Sequence, residues 1–328
     1  MIIGIRPTVD FAFKLLMGSP EHSAVTIHFL NAVLGGNPRI TSVTFVDPIL
    51  DKETEDDKLV VLDILAEDEY GRKFNIEMQT SLPRGMSQRL AYYASSLYAG
   101  QLNAGQNYSK LRPAICICVL EEPMFPKLAQ MHLDFRVRER SGIILTDDLQ
   151  IHLVELSKSQ ATEHNLDIVS PLERWAWFLR NAHRLDDAVL RRLLPEPEFN
   201  EAVGVLEMIS RTPEQQRIYE ARLKFQRDDA ARLECAREEA SREAMQEGRM
   251  EGLAEGRIVG LAEGRMEGLA EGKIEGRTEG EQIGQIRLLQ QLLRLPQSSM
   301  EDLAKVGVAE LHSQVEELRR QLQERGLG

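Results

Sequence analysis

Residues 58–79 read KLVVLDILAEDEYGRKFNIEMQ, and this stretch decides the fold. Its first part, from Lys58 to Ala66, is an almost unbroken run of apolar, partly β-branched residues around Asp63, which is typical of a strand in the middle of a sheet. Glu69-Tyr70-Gly71 is typical of a tight turn, and Lys73 to Gln79 alternates as a returning strand does. The stretch therefore predicts a β-hairpin.

The turn predicts which residues of the hairpin face each other. In a three-residue loop with glycine in the last, left-handed position, the flanking residues Asp68 and Arg72 pair across the strands. Counting back along both strands from that pair places Asp63 opposite Glu77, with β-carbons about 4.5 to 5.5 Å apart. Gln79 lies two residues further along the same face. Three oxygen-bearing side chains are thus predicted to converge on one patch.

Such a patch is stable only if its negative charge is neutralised. Asp63 lies among apolar residues, and a second carboxylate beside it is unfavourable without a cation. Mg²⁺ binds carboxylate, amide and water oxygens, and water activated by such an ion attacks phosphodiesters. The alternative is that Glu77 and Gln79 line the solvent face of an edge strand, since Phe74, Ile76 and Met78 form an apolar inward face without them.

The segments around the hairpin predict an α/β sandwich with a mixed central sheet flanked by helices. Hydrophobic periodicity and the positions of glycine and proline place these further elements. They are two helices between Pro7 and Leu34, strands over Val43–Val46, Ala114–Leu120 and Ile151–Leu156, a helix from Ser87 to about Gln101, and helices after Pro171 and over Glu198–Arg227.

Composition narrows the class of protein. The net charge of −12 argues against a broad basic surface that coats nucleic acid, but it does not exclude local contacts with phosphate.

Cys116 and Cys118 are two residues apart, which places both on one face of a strand, and they are interpreted as small buried hydrophobes. No signal peptide and no membrane-spanning run is evident, so we expect a cytoplasmic protein with no membrane association.

Several segments together are similar to a known family, the Rpn recombination-promoting nucleases, also described as PD-(D/E)XK nuclease family transposases. The likeness extends over most of the chain, and its most specific part is the Asp … Asn-Ile-Glu-Met-Gln core. The segments that carry it are Lys58-Leu-Val-Val-Leu-Asp63, Gly71–Gln79, Asp10-Phe-Ala-Phe-Lys14, Tyr92-Tyr93 with Leu97-Tyr98, Tyr219–Phe225 and the glycine-rich tail.

The resemblance implies a restriction-endonuclease-like core and a DNA endonuclease that depends on Mg²⁺ or another divalent cation such as Mn²⁺, acting in DNA recombination or on mobile elements. Asp63 and Glu77 would be metal ligands and, with Gln79, the catalytic row. Asp10 matches an acidic position of the family and would add a ligand. DNA would be the partner.

One departure from the parent superfamily concerns Gln79, which occupies the lysine position of the (D/E)-x-K triplet. A lysine there orients the attacking water and offsets charge, whereas a neutral amide only coordinates or hydrogen-bonds. A catalytically weak or inactive descendant that binds DNA or assembles into oligomers is therefore the alternative.

Four basic residues are candidates for contacts with DNA phosphate. Lys14 and Lys58 match basic positions of the family, and Arg84 and Arg89 follow the triplet closely in sequence. The alternative for each of them is an ordinary solvated surface position.

The tail has a glycine at every fourth position from Gly248 to Gly284. Ten glycines in a helix cost roughly 10 kcal/mol relative to alanine, so a helix here needs a partner. Two alternatives follow, a homo-oligomer formed through this stripe or a flexible spacer. The predicted divisions are a nuclease-like domain over 1–160, a helical region over 161–230, a charged and glycine-repeat segment over 231–285, and short helices over 286–328.

Overall fold

A computed structural model of the protein describes residues 2–36, 38–50 and 60–325. The chain forms two compact units, Met1–Ala236 and Arg237–Gly328. The finer predicted divisions at residues 160, 230 and 285 stay predictions.

The first unit contains a mixed sheet, as predicted. In the described residues the sheet has six strands. Across the sheet they are β1 (Val43–Val46), β4 (Ile64–Asp68), β5 (Lys73–Gln79), β6 (Ala114–Leu120), β8 (Ile144–Glu155) and β7 (His132–Arg138). Strand β5 pairs in parallel with β6, and β6 with β8, whereas the other pairings are antiparallel. A separate pair consists of β2 (Ile49–Leu50) and β3 (Val60–Val61).

Helices pack on both faces of this sheet, because its central strands β4 and β6 carry apolar residues on both faces. The helices are α1 (Asp10–Gly18), α2 (Ser23–Leu34), α3 (Met86–Ala99), α4 (Pro171–Asn181), α5 (Asp187–Leu193), α6 (Pro197–Arg211), α7 (Pro213–Leu292), α8 (Met300–Leu303) and α9 (Val308–Glu324). One face carries Ile64, Phe74 and Ile76, which pack in the main core with residues of α1, α2, α4 and α6. The other face carries Leu65 and Cys118, which pack with residues of α3.

The β4–β5 hairpin has the predicted register. Ile64 pairs with Ile76 and Leu65 with Asn75. The amide of Asp68 donates to the carbonyl of Arg72 at 3.1 Å, and Gly71 has a φ of 76°, the left-handed value that glycine adopts without steric penalty. A short turn therefore fixes which side chains meet at the far end of the hairpin.

The predicted single strand from Lys58 to Ala66 is wrong in one respect, since the chain bends at Asp63 between β3 and β4. The bend is explained by two backbone amides that do not pair with the neighbouring strand β5 in the regular pattern of the sheet. Leu62 donates its amide to the carbonyl of Pro48 at 2.9 Å, and the amide of Asp63 points to the Glu77 carboxylate. Lys58 lies outside the described residues.

Three other elements differ from the prediction. Strand β7 was not predicted, and β8 begins at Ile144 rather than Ile151. The helix expected over Glu198–Arg227 is divided, because Thr212, the residue before Pro213, is extended with ψ of 113° and ends α6. Pro213 then begins α7, where its missing N–H is not needed.

The second unit consists of α7 from Arg237 onward, with α8 and α9. A small core holds the end of α7 to the last helices, and its buried members include Ile286, Leu303 and Leu311. All ten repeat glycines are helical, and apart from the adjoining backbone of its own helix, a β-carbon added at any of them would meet no described atom within 4 Å. Among the helices of the described residues, none is long and apolar enough to span a bilayer.

Candidate active site

The hairpin brings Asp63 and Glu77 together. Asp63 occupies the bend before β4, and its backbone N–H donates to Oε1 of Glu77 at 3.4 Å. The Asp63 side chain is 22% exposed, whereas that of Glu77 is 1% exposed. The structure thus places one accessible and one buried carboxylate side by side.

Glu77 is not on a solvent face, so that alternative is wrong. It lies on the face that α3 covers, opposite Cys118 of β6. Burial first, and then the charge of Asp63, raise the pKa of Glu77 to about 7, against the lowering effect of a hydrogen bond from Asn75 and of nearby Arg89. Glu77 therefore carries a charge that its surroundings compensate only in part.

Three polar side chains contact the Glu77 carboxylate. Asn75 Nδ2 donates to Oε1 at 3.2 Å, and Gln79 Nε2 donates to Oε2 at 3.4 Å. Arg89 of α3 reaches Oε2 with Nη2 at 3.3 Å. The predicted residue Gln79 is accordingly part of the same hydrogen-bonded group, at the carboxyl end of β5.

Arg89 is itself held by Tyr93, one turn further along α3. Nε of Arg89 donates to the Tyr93 hydroxyl at 2.9 Å, and the guanidinium carbon lies 5.2 Å from the ring centroid. This arrangement fixes the guanidinium plane beside Glu77. Tyr93 therefore positions Arg89 through both its hydroxyl and its ring.

On the opposite side, Lys14 of α1 connects two acidic residues. Its Nζ lies 2.9 Å from Asp10 Oδ1 and 3.2 Å from Asp63 Oδ1. Burial acts to lower the pKa of Lys14, but the hydrogen bond with Asp10 and the charges of both carboxylates outweigh it and raise the pKa. Lys14 thus remains charged and links Asp10 to Asp63.

Two further basic residues, Arg84 and Lys58, were predicted as contacts with DNA phosphate. Arg84 is exposed in the turn before α3, and Lys58 lies outside the described residues.

Cys116 and Cys118 are buried free thiols on one face of β6, as predicted. Burial raises the pKa of Cys116 to about 12, which leaves that thiol protonated and chemically inert.

Asn75 is a site residue that the sequence reasoning missed. It is fully buried, and besides Glu77 its Nδ2 contacts the sulfur of Cys116 at 3.9 Å. Its side-chain oxygen is buried with no hydrogen-bond partner among the described residues. The available signal was its place in the alternation Asn75, Glu77, Gln79, which puts all three on one strand face.

The donor set is suitable for a hard divalent cation. Asp63 and Glu77 offer carboxylate oxygens, Gln79 offers an amide oxygen, and the buried Glu77 charge favours a nearby positive ion. In the part of the chain that the structure describes, no three or more His, Cys, Asp or Glu residues cluster closely enough to hold a metal. Asp10 accordingly stands apart from the pair, connected through Lys14.

A cleft opens beside these residues. It has a volume of about 130 Å³ and includes Lys14, Gly18 and Asp63 in its lining. A β-carbon on Gly18 would lie 3.1 Å from Ile64, so the close approach of α1 to β4 depends on this glycine. The cleft gives solvent and small groups access to the Asp63 side of the pair.

Comparison with known protein families gives a match. The model of a family described as PD-(D/E)XK nuclease family transposase matches residues 7–236, which is more than half of the 328 residues. The match includes the hairpin together with α1 and α3, and it confirms the resemblance drawn from the sequence. Searches of curated proteins and of solved structures each found no match.

Proposed function

Since this chain belongs to the PD-(D/E)XK nuclease family of transposases, we propose that it is a metal-dependent DNA endonuclease that hydrolyses phosphodiester bonds in recombination or on mobile elements. The observation that carries the proposal is the pair formed by Asp63 and the buried Glu77. Lys14 and Arg89 compensate these two carboxylates only in part, since the pKa of Glu77 is still raised to about 7, so a divalent cation between them is favourable.

Asp63 and Glu77 are the proposed metal ligands, with the Gln79 side-chain oxygen as a further donor. Nucleases of this family generally use divalent cations, and Mg²⁺ or Mn²⁺ is the ion we propose. When bound, such an ion supplies an activated water and offsets charge on the phosphate. Asp10 joins the ligands if Lys14 moves away from it.

Lys14 and Arg89 supply the positive charge that Gln79 lacks. Both are paired with the two carboxylates in the structure, Lys14 with Asp63 and Arg89 with Glu77. Once the negative charge of the carboxylates is neutralised, these two cations are free to turn to the oxygens of the scissile phosphate. Gln79 then positions the attacking water by hydrogen bonding, without adding charge of its own.

Plasmid cleavage tests the proposal. Wild type is expected to nick or linearise supercoiled plasmid in Mg²⁺ and not in EDTA, and Asp63→Asn is expected to lose this activity. Asp167→Asn is the matched control, because Asp167 is exposed and lies outside the site. Equal products from wild type and Asp63→Asn would reject the assignment.

Two observations favour a second candidate function, that of a catalytically weak or inactive nuclease fold that binds DNA. Gln79 replaces the lysine of the superfamily triplet, and the described residues contain no cluster of three metal-binding side chains of the His, Cys, Asp and Glu types. Metal titration discriminates between the two functions. An active nuclease binds Mn²⁺ in wild type and loses it in Glu77→Gln, whereas an inactive descendant shows no such difference.

We further propose that the repeat in α7 mediates homo-oligomer formation. The helix carries large apolar side chains in open solvent, with Leu253, Leu261 and Leu269 between 63% and 67% exposed. A helix with ten glycines needs compensating contacts, and a second copy supplies an equivalent stripe. Sedimentation of the full chain over a dilution series should show an oligomer in wild type and a monomer when these three leucines are changed to glutamate.

A further inference from the structure

A second cavity in the first unit is lined by three arginines. It has a volume of about 230 Å³, and its lining includes Arg6 from the segment before α1, Arg180 from the last turn of α4, and Arg184 from the turn that follows α4. We refer to Arg6, Arg180 and Arg184 as the arginine pocket. These residues are distinct from the carboxylate pair and its neighbours.

The arginine pocket has an excess of positive charge. Among the described residues, none of the three guanidinium groups has a carboxylate within 4.0 Å. Glu121 is the one acidic residue of the lining, and its carboxylate accepts a hydrogen bond from the hydroxyl of Thr8. The lining therefore has a net positive charge, whereas the whole chain has a net charge of −12.

The pKa of His183, also in the lining, is affected by the same positive charge. Its Nε2 accepts from Nε of Arg184 at 3.3 Å, and its Nδ1 is buried without a partner among the described residues. Burial, and then the charges of Arg6 and Arg184, lower the pKa of His183 to about 4. The imidazole is therefore neutral at physiological pH and adds no charge, so the three arginines outnumber Glu121 and an anion is the favoured occupant.

Phosphate is the anion that this arrangement suits. Arginine presents a planar set of donors that matches phosphate oxygens, and it holds them by charge-assisted hydrogen bonds. The walls are also held in place by hydrogen bonds. The backbone N–H of Arg6 donates to the hydroxyl of Tyr219, which is 4% exposed, at 2.9 Å, and Gln226 donates to the carbonyl of Thr8 at 3.5 Å.

The arginine pocket adjoins the carboxylate site through two chain segments. Glu121 directly follows β6, and its amide donates to the carbonyl of Gln79, the last residue of β5, at 3.0 Å. Thr8 lies two residues before Asp10. Ser157, also in the lining, follows the end of β8, so the cavity lies at the carboxyl ends of the parallel strands, where α/β sheets commonly bind ligands.

We infer that the arginine pocket binds a backbone phosphate of the DNA substrate other than the scissile one, and so fixes how the strand lies across the carboxylate pair. The inference rests on the proposed nuclease function, because it takes DNA as the source of the phosphate. It assigns Arg6, Arg180 and Arg184 to positioning the strand, since phosphate contacts set register rather than sequence preference.

Salt dependence of DNA binding tests the inference. A labelled duplex is titrated with the full-length protein in EDTA over a series of KCl concentrations. Arg180→Ala/Arg184→Ala removes the contact with one phosphate, so the slope of log K against log salt should become shallower by about one. The matched control is Arg138→Ala/Arg140→Ala, two exposed arginines at the end of β7 and after it, and it should keep the wild-type slope.

A second variant tests the pocket without removing arginines. Glu121→Gln keeps an oxygen for the Thr8 hydroxyl but removes the one negative charge of the lining. It should tighten DNA binding by about threefold at low salt, because one phosphate no longer meets a carboxylate. An unchanged or weaker affinity would overturn the inference, and so would an unchanged slope in the double arginine variant.

The outcome is separable from that of the nuclease proposal. Binding in EDTA requires no cleavage, so wild type that binds with the expected slopes but never cleaves supports the pocket and rejects the nuclease. Wild type that cleaves, while the double variant keeps the full slope, rejects the pocket alone. A mononucleotide that raises the melting temperature of wild type but not of the double variant, with unchanged DNA slopes, would overturn the assignment to DNA.

Discussion

Replacing Glu77 by glutamine is expected to make the metal-free protein more stable while removing its response to metal. The reason is that Glu77 is 1% exposed and lies beside Asp63, so its ionised form is unfavourable in the fold. Glutamine has the same shape and no charge. A residue whose charged form destabilises the folded protein is expected where function needs that charge.

The magnitude follows from the pKa of Glu77, which is about 7 against an ordinary value of 4.5. Each unit of pKa corresponds to about 1.4 kcal/mol, so ionised Glu77 lowers the free energy of unfolding by about 3 kcal/mol at pH 8. The glutamine amide must face donors such as Nη2 of Arg89, which costs about 1 kcal/mol. The net gain at pH 8 is therefore about 2 kcal/mol.

The sign of the pH dependence is fixed by the same pKa. The folded state retains a proton on Glu77 that the unfolded chain has already lost, so wild type loses stability as pH rises from about 4.5 to about 7. Near pH 4 only the amide cost remains, so Glu77→Gln should be less stable than wild type by about 1 kcal/mol, and its advantage should reach full size near pH 8.

Urea unfolding at both pH values, with and without Mg²⁺, measures this effect. Wild type should gain about 2.7 kcal/mol at a Mg²⁺ concentration a hundred times its dissociation constant, and Glu77→Gln should gain nothing. The exposed control Glu163→Gln should behave as wild type. A variant that is less stable than wild type by the same amount at both pH values would refute the reasoning, because Glu77 would then carry no uncompensated charge.

Three further predictions concern other parts of the first unit. Tyr93→Phe removes the hydroxyl that accepts from Arg89, so plasmid cleavage should slow by about tenfold with unchanged DNA affinity, as binding and rate measurements can show. Burial lowers the pKa of His152 to about 4, so protonation of the unfolded chain should lower the free energy of unfolding by up to about 3 kcal/mol as pH falls from 6.5 to 4. The difference between the free energies of unfolding of wild type and His152→Gln, measured over this pH range, tests it. Phe199→Ala should lower the free energy of unfolding by about 3 to 5 kcal/mol in urea, because the fully buried Phe199 ring lies 4.3 Å from that of Trp175.

The sequence was sufficient to predict the hairpin and the meeting of Asp63 with Glu77. Both depend on local information, namely the position of Gly71 and the alternation along each strand, which set the register over a short distance. The strands with strong apolar patterns, β5 and β6, were predicted with their observed bounds for the same reason.

The contacts of Lys14 and Arg89 were not predictable from the sequence. Each depends on how a helix packs against the sheet, and a lysine or arginine on a helix is by default a solvated residue. Strand β7 escaped prediction because its mixed, half-exposed residues lie at the sheet edge, where burial imposes little pattern. The arginine pocket joins Arg6 to Arg180 and Arg184, which are far apart in the sequence.

Binding of Mn²⁺, measured by electron paramagnetic resonance, tests most directly whether Asp63 and Glu77 together hold a divalent cation. Bound Mn²⁺ is expected in wild type and in Asp167→Asn, and its loss is expected in both Asp63→Asn and Glu77→Gln. Unchanged Mn²⁺ binding in the two site variants would contradict a shared cation site at this pair.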